Sequence, residues 1–479
     1  MEMLYGIMPE ISLLLSALIF QLIGAYSNNT LTHVIAKMSI GFAAILIAIL
    51  VFHPSLFNGI YWNNTFIVNQ SKIYLKIIIL IFYIFLTLIY SGYIKVANLK
   101  GHSEYIVLMQ LGALGGLILV SANDFMVMYL GIEMQGIIGY ILTTFNYNNS
   151  RSSEAGLKYF ILGTVFSAIM LFGISLVYGT TQSIRYDIAL HALQNPSSDM
   201  AVLVAAILMI LVGVLFKLSI APFHMWTPDI YDGAPLVVVA LFSSLPKISI
   251  LALLGNLLSE LKFASDAFFY IKMIIMVLAC LSLIVGAFGA LLQQSIQRFI
   301  AYSAILNLGY AVLALVANSS NVIRAEISYF YIIIYAASML GFIAIIINNF
   351  TNRANYLKIS QLSGLANVKK LSSILIAIQM FSLVGIPPFA GFISKYIIFT
   401  SILKSGMYEL IIMGIAAVVI GSYCYLNIVK VMYFLPAAVR FQNSSINFEL
   451  SLVSITSTII VISLMIICML FGEGLNVIV

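Results

Sequence analysis

Residues 200–230 read MAVLVAAILMILVGVLFKLSIAPFHMWTPDI, and this stretch decides the architecture. The run from Met200 to Phe216 carries no charge. A helix needs about 20 apolar residues to cross the hydrocarbon core of a bilayer. This segment is too long for one simple crossing, and it holds Lys217 mid-run and Pro222 five residues later. A proline inside a helix removes one backbone hydrogen bond and clashes with the preceding turn. The stretch therefore reads as a single membrane crossing, broken in its middle beside a charge.

Thirteen further apolar runs lie outward from it. Toward the N-terminus they are 8–26, 32–52, 73–94, 103–121, 124–145 and 155–178. Toward the C-terminus they are 236–258, 267–292, 299–317, 325–349, 371–404, 408–435 and 449–471. The 371–404 run is also overlong and also broken, by Gly385-Ile386-Pro387-Pro388-Phe389. The fold class is thus an all-α polytopic membrane protein of about 14 transmembrane helices. Composition agrees. Of 479 residues, 62% are hydrophobic and only 8% charged, against about a quarter charged in soluble domains. Mean hydropathy is +1.11. A soluble globular protein, a disordered chain and a coiled coil are excluded. The longest loops, 53–72, 179–199, 350–370 and 436–448, leave no room for a catalytic domain of roughly 100 residues.

The net charge of +6 does not point to nucleic acid, because the 22 Lys and Arg are scattered and no basic run exceeds Lys369-Lys370. They set orientation instead. Loops after odd-numbered crossings hold nine: Lys95, Lys100, Arg151, Arg298, Arg353, Lys358, Lys369, Lys370 and Arg440. Loops after even-numbered crossings hold five: Lys72, Arg185, Lys262, Arg324 and Lys404. The excess places the odd loops in the cytoplasm and both termini outside. The N-terminus lacks a basic n-region and reads as an uncleaved first helix. Cys280, Cys424 and Cys468 each stand alone in an apolar run, and the five histidines are dispersed. Neither set has metal-ligand or cluster spacing, so no metal and no redox centre are expected in this chain. The bilayer is its first partner.

Four charges sit where charges are expensive. Glu133 lies in the middle of 124–145. Lys217 precedes the Pro222 break, Lys247 directly follows Pro246, and Lys395 follows the Pro387-Pro388 break. Each costs about 2.5–3.5 kcal/mol at mid-bilayer on insertion scales. Lysine in low dielectric holds its proton less tightly, and a nearby carboxylate restores it. Arginine stays protonated, and none of the four is Arg. The set therefore suits a relay of titratable groups, with the helix breaks offering polar backbone and room for water. The bland alternative is a set of charges that only locks helices together. Lys158, one turn into its helix, suits snorkelling to the interface. His224, after the first break, suits either packing or proton transfer. Asp124 reads as an N-cap, Asp229 and Asp232 as capping or solvated loop residues, and Lys272 and Lys430 as interfacial.

These residues carry a resemblance. Lys217-Leu-Ser-Ile-Ala-Pro-Phe-His-Met-Trp-Thr-Pro-Asp-Ile-Tyr-Asp-Gly-Ala-Pro235 resembles the hallmark of the antiporter-like membrane subunits of respiratory complex I, the proton-pumping NADH:quinone oxidoreductase. Tyr129–Glu133, Arg298–Tyr310 and Gly385–Lys395 agree in order and spacing. The ending Ile-Tyr-Asp-Gly-Ala-Pro resembles the subunit N branch; subunits L and M and the Mrp-type antiporters typically carry Ala-His in place of Ile-Tyr. Asn307 departs from relatives, which often have His there, so water or Asn307 itself would bridge.

The resemblance implies a membrane-arm subunit of the bacterial inner membrane (or the mitochondrial one), moving protons outward on energy from redox chemistry elsewhere. It implies Glu133 and Lys217 as a buried pair, Lys247 as the connecting lysine and Lys395 near the outward exit, with Lys158 and His224 in support. It also implies two inverted repeats, helices 4–8 in 103–258 and 9–13 in 259–435. These follow an N-terminal unit, 1–102, and precede a final helix in 436–479. Each repeat holds one Pro-broken helix. NADH, FMN, Fe–S clusters and quinone would belong to partner subunits. The rival implied by the same superfamily is an Mrp-type cation/proton antiporter subunit.

Overall fold

The computed structural model describes residues 6–27, 31–97, 99, 101–194, 200–261, 265–316, 325–350, 357–436 and 447–470. Lys100, Lys262, Arg324, Arg353 and Arg440 lie outside these, as does the side chain of Cys468. Six unbroken helices open the chain: α1 Met8–Tyr26, α2 Thr32–Phe52, α3 Gln70–Ala97, α4 Ser103–Ser121, α5 Phe125–Thr144 and α6 Ser150–Thr181. The 200–230 run forms α7 Met200–Leu218 and α8 Trp226–Gly233, with non-helical backbone between them. Next come α9 Leu236–Ser243, α10 Leu245–Leu261, α11 Ser265–Leu291, α12 Ile296–Val316 and α13 Ala325–Phe350. The second broken run gives α14 Lys370–Val384 and α15 Ala390–Lys404, followed by α16 Tyr408–Phe434 and α17 Phe448–Leu470.

Among the described residues, twelve helical segments are long and apolar enough to cross a membrane, with Leu236–Leu261 (α9 and α10 together) counted as one. The shorter apolar segments Lys370–Val384 and Phe448–Leu464 account for the remaining two expected runs. Asp124 caps α5 as anticipated, its Oδ1 accepting from the Met126 and Val127 N–H groups. The apolar pattern is that of a bundle in lipid. Helices α9, α10, α12 and α13 are almost wholly enclosed, whereas α1, α2, α6 and α16 turn large apolar side chains such as Leu18, Ile45, Val165 and Ile412 outward. Without water to reward apolar burial, helix contacts in lipid rest on close packing and polar links.

Two features depart from the sequence reading. The 236–258 run is not one continuous helix. It is interrupted at Ser244, whose backbone leaves the helical region. Pro246 is the cause, since it lacks an N–H and its ring crowds the carbonyl four residues earlier. The 53–72 loop is also not featureless. Strands β1 Gly59–Tyr61 and β2 Phe66–Val68 pair antiparallel, joined through Trp62, Asn63 and Asn64 at positive φ. Asparagine tolerates that conformation because its short polar side chain bonds locally.

Candidate functional site

The two broken helices end in the same way. Helix α7 stops at Leu218, and Ser219 takes φ +65°. The Ile220 N–H then donates to the Leu215 carbonyl and the Ser219 N–H to that of Phe216. Helix α14 stops at Val384, and Gly385 takes φ +88°. The Ile386 N–H donates to Phe381 and the Gly385 N–H to Ser382. Both are Schellman terminations, with a left-handed residue closing the helix. Proline follows four residues after each helix end, at Pro222 and Pro388, and both X–Pro peptide bonds are cis.

A helix terminus still leaves carbonyls without partners, and here buried lysines meet them. Lys247, 1% exposed, donates from Nζ to the Lys217 carbonyl at 3.0 Å and to Ser219 Oγ at 2.7 Å. Lys395, 8% exposed, donates to the Leu383 and Val384 carbonyls at 2.7 and 3.0 Å. Each ammonium also faces an aromatic ring. Trp226 lies 5.3 Å from Lys247 and Tyr310 lies 5.4 Å from Lys395. The negative ring face favours a cation. The partial negative charge at a helix C-terminus does the same. No carboxylate lies within 4.0 Å of either lysine among the described residues.

Lys217 is placed differently. Its Nζ reaches α5, donates to Tyr140 Oη at 3.0 Å and lies 5.1 and 5.6 Å from the rings of Tyr140 and Tyr159. It passes over Gly136 so closely that a Cβ there would sit 2.6 Å from Nζ. Glu133 lies one turn earlier on the same helix, and its Oε1 is buried without a hydrogen-bond partner within the protein. The expected pair is therefore adjacent but not joined. Glu133 lies one turn from Gly136, over which the Lys217 Nζ passes, yet the two form no ion pair within 4.0 Å among the described residues. Tyr140 takes the ammonium, because Gly136 opens the path to it.

Asn307 stands in a polar cluster. Its Oδ1 accepts from Tyr331 Oη at 2.6 Å, and its Nδ2 donates to the Ser303 carbonyl at 2.7 Å and Tyr425 Oη at 2.9 Å. Asn307, Tyr331, Ser382, Ser394 and Lys395 line one small cavity, with room for about one water. Tyr231, Tyr335 and Ser382 carry buried side-chain oxygens with no partner inside the protein. Such groups are characteristically satisfied by ordered water. Asn307 and Lys395 thus face one small polar cavity.

The remaining candidates do not join this line. Lys158 pairs with Glu154 at 2.7 Å on an exposed face of α6. His224 is half-buried in the break. Asp229 and Asp232 are not free loop residues. Arg298 reaches both, at 3.4 and 3.3 Å, and Ser295 donates to Asp232 at 2.8 Å, so α8 is tied to α12. No group of three or more His, Cys, Asp or Glu able to hold a metal occurs among the described residues.

One buried pair went unread in the sequence. Glu10 of α1 and Lys76 of α3 meet at 2.7 Å with side chains 3% and 1% exposed. Lys76 lies three residues into its apolar run, where snorkelling is the ordinary reading, but in the folded protein its Nζ meets Glu10 and lies 5.2 Å from the ring of Phe66. Breaking such a pair on one side strands a buried charge at a cost of about 3–5 kcal/mol. Glu10→Ala should therefore lower the thermal inactivation midpoint and the yield of assembled protein. Glu10→Met combined with Lys76→Met should recover most of both. Equal loss in the single and double variants would refute this account.

The fold and the site define a class, the antiporter-like transmembrane subunits built around Pro-broken helices with buried lysines. A profile of the family described as NADH:quinone oxidoreductase/Mrp antiporter, TM, matches residues 122–421. The NADH-quinone oxidoreductase subunit N of Orientia tsutsugamushi (strain Ikeda) is 98% identical over 100% of both chains. Among solved structures, a chain of respiratory complex I from Thermus thermophilus with bound aureothin superposes with a TM-score of 0.79 at 23% identity, over 98% of both chains. A chain of the Mrp complex from Dietzia sp. DQ12-45-1b gives 0.76 at 16%, over 98% of this chain and 95% of that one. The two structures share the fold and do not separate the branches. The chain belongs to the NADH-quinone oxidoreductase subunit N family.

Proposed function

We propose that this chain is a proton-translocating membrane-arm subunit of a bacterial NADH:quinone oxidoreductase, seated in the inner membrane among the other membrane-arm subunits. The observation that supports it best is the placement of Lys247 and Lys395 on the carbonyl ends of the two broken helices. An ammonium has three donors. Two hold the oxygens at the break, and the third proton is the one to exchange. When Lys395 releases that proton, its two remaining N–H groups keep both carbonyls, so the backbone does not have to move. The lone pair then faces the cavity shared with Asn307. Glu133 biases the charge on Lys217, Lys247 ties the Lys217 carbonyl to the break, and Asn307 and Tyr331 lead toward Lys395. Lys158 and His224 act from the periphery.

Protons move through these side chains, while NADH, FMN, Fe–S and quinone chemistry belongs to other subunits and supplies the energy. Residues 103–258 and 259–435 act as two inverted repeats, a reading that the matching Schellman breaks support. The Mrp-type reading shares the fold, but the Tyr231-Asp232-Gly233 sequence and the subunit N relationship weigh against it. Inverted membrane vesicles test the choice. NADH should drive proton uptake that is lost when this chain is deleted and restored when it is returned. Sodium- or potassium-driven proton exchange through the chain without NADH would decide for the antiporter.

A further inference from the structure

A second cavity, of about 380 Å³, lies apart from the lysine line, where the end of α13, the start of α14 and the start of α17 meet. Its volume falls within the range of small-molecule sites, roughly 300–1,000 Å³. Its walls are of two kinds. Lys369, Lys370, Asn348, Asn349 and Ser451 supply polar groups, and Leu371, Leu375, Ile345 and Ile455 supply apolar ones. No carboxylate lines it among the described residues. The nearest acidic residue of α17, Glu449, is already taken by Lys95 at 2.5 Å and by Ser91 at 2.9 Å.

Three further facts bear on the occupant. Helix α14 begins inside this cavity with no side-chain cap and no acidic residue in its first turn, so its N-terminal amides favour an anion. The three helix ends belong to membrane-crossing elements, which puts the cavity at the level where headgroups lie. Lys369-Lys370 is the only basic pair in the sequence, on the side with the excess of basic loops. A soluble anion would be served by the polar wall alone. The adjoining apolar wall, with Leu371 63% exposed, matches an anion carried on an acyl chain.

We infer that this cavity is a binding site for the headgroup of an anionic phospholipid, with its phosphate between Lys369, Lys370 and the start of α14. Juxtamembrane lysines attract anionic lipid at roughly 1 kcal/mol each, and basic pockets between crossing helices hold lipid headgroups by this means.

The test uses the whole assembled complex in phosphatidylcholine vesicles containing a trace of photoreactive phosphatidylglycerol. After illumination, cross-links are mapped by peptide mass spectrometry. Labelling should concentrate on residues 345–349, 368–375 and 451–455, and should exceed that by photoreactive phosphatidylcholine severalfold. The K369Q/K370Q double variant should show labelling reduced roughly thirtyfold, and K369R/K370R should retain it. Excess inorganic phosphate should leave it unchanged. Equal labelling by the two lipids, or full labelling of K369Q/K370Q, would overturn the inference. Displacement by inorganic phosphate would identify a soluble-anion site instead. Absence of labelling from these segments in the wild type would show the cavity covered by a neighbouring subunit, and would equally overturn it.

Discussion

Lys395→Arg and Lys247→Arg should each assemble normally and pump almost nothing. Arginine keeps the positive charge, the contact with the ring of Tyr310 or Trp226 and the donors for the carbonyls at the break. It gives up only the ability to release a proton, since the guanidinium stays charged at any accessible pH. A structural role for these lysines predicts that arginine serves well, and a relay predicts that it fails. A positioned proton-transfer group contributes on the order of 10²–10⁴-fold. Redox-driven proton uptake in inverted vesicles, normalised to assembled complex, should therefore fall at least about 10²-fold in either variant. Alanine at the same positions is a poorer probe. It strands the Lys217 carbonyl, or those of Leu383 and Val384, and an unsatisfied buried acceptor costs about 1–3 kcal/mol on its own. Near-normal pumping by a fully assembled Lys395→Arg variant would remove Lys395 from the relay.

Glu133→Ala and Lys217→Ala should each abolish uptake, whereas Glu133→Asp should retain much of it. Glu133 and Lys217 do not touch in this structure, so the loss does not come from a broken ion pair. It comes from the charge that Glu133 places one turn away from the Lys217 ammonium, on the face of α5 that Tyr140 shares. Without that charge, the ammonium is held only by a neutral hydroxyl and two ring faces. These neutral partners compensate an ammonium in low dielectric less than a nearby carboxylate does. Aspartate shortens the reach but keeps the charge, and no direct contact is lost. The Glu133→Ala variant should reduce proton uptake by about 10²-fold with assembly intact. Glu133→Ala pumping at the wild-type rate would make Glu133 a packing residue and Lys217 independent of it.

The difference between the two expectations lies in what each lysine meets. Sequence reasoning grouped Lys217, Lys247 and Lys395 because all three interrupt apolar runs near proline. Their environments differ for reasons of packing. Lys247 and Lys395 each fold back onto a helix end. Lys217, which precedes its own break, cannot do so and extends across to α5, where the absence of a side chain at Gly136 admits it. The same logic explains the Ser244 interruption and the Glu10–Lys76 pair. Pro246 was visible, but whether a helix continues past a proline depends on what neighbouring helices offer the freed backbone. Glu10 and Lys76 were visible too, but each sits near a helix start, where exposure is the default.

By itself, the sequence determined the solvent. Fourteen apolar runs, with 8% charged residues, have no stable place except a bilayer, because each backbone polar group there must bond within its own segment. It also determined that the two overlong runs, 200–230 and 371–404, would break, since proline lacks the donor that a helix interior requires. And it determined which four charges were costly enough to demand a use, since depth in an apolar run sets the cost before any fold is known. The tertiary structure alone decided the partners. Two lysines cap carbonyls and one meets a tyrosine, Asn307 and Lys395 share a cavity, and Glu10 and Lys76 are sealed together. Those outcomes depend on which helix lies beside which, to within the few ångströms over which a hydrogen bond or an ion pair exists. Residue spacing along one chain carries no information at that range about another segment a hundred residues away.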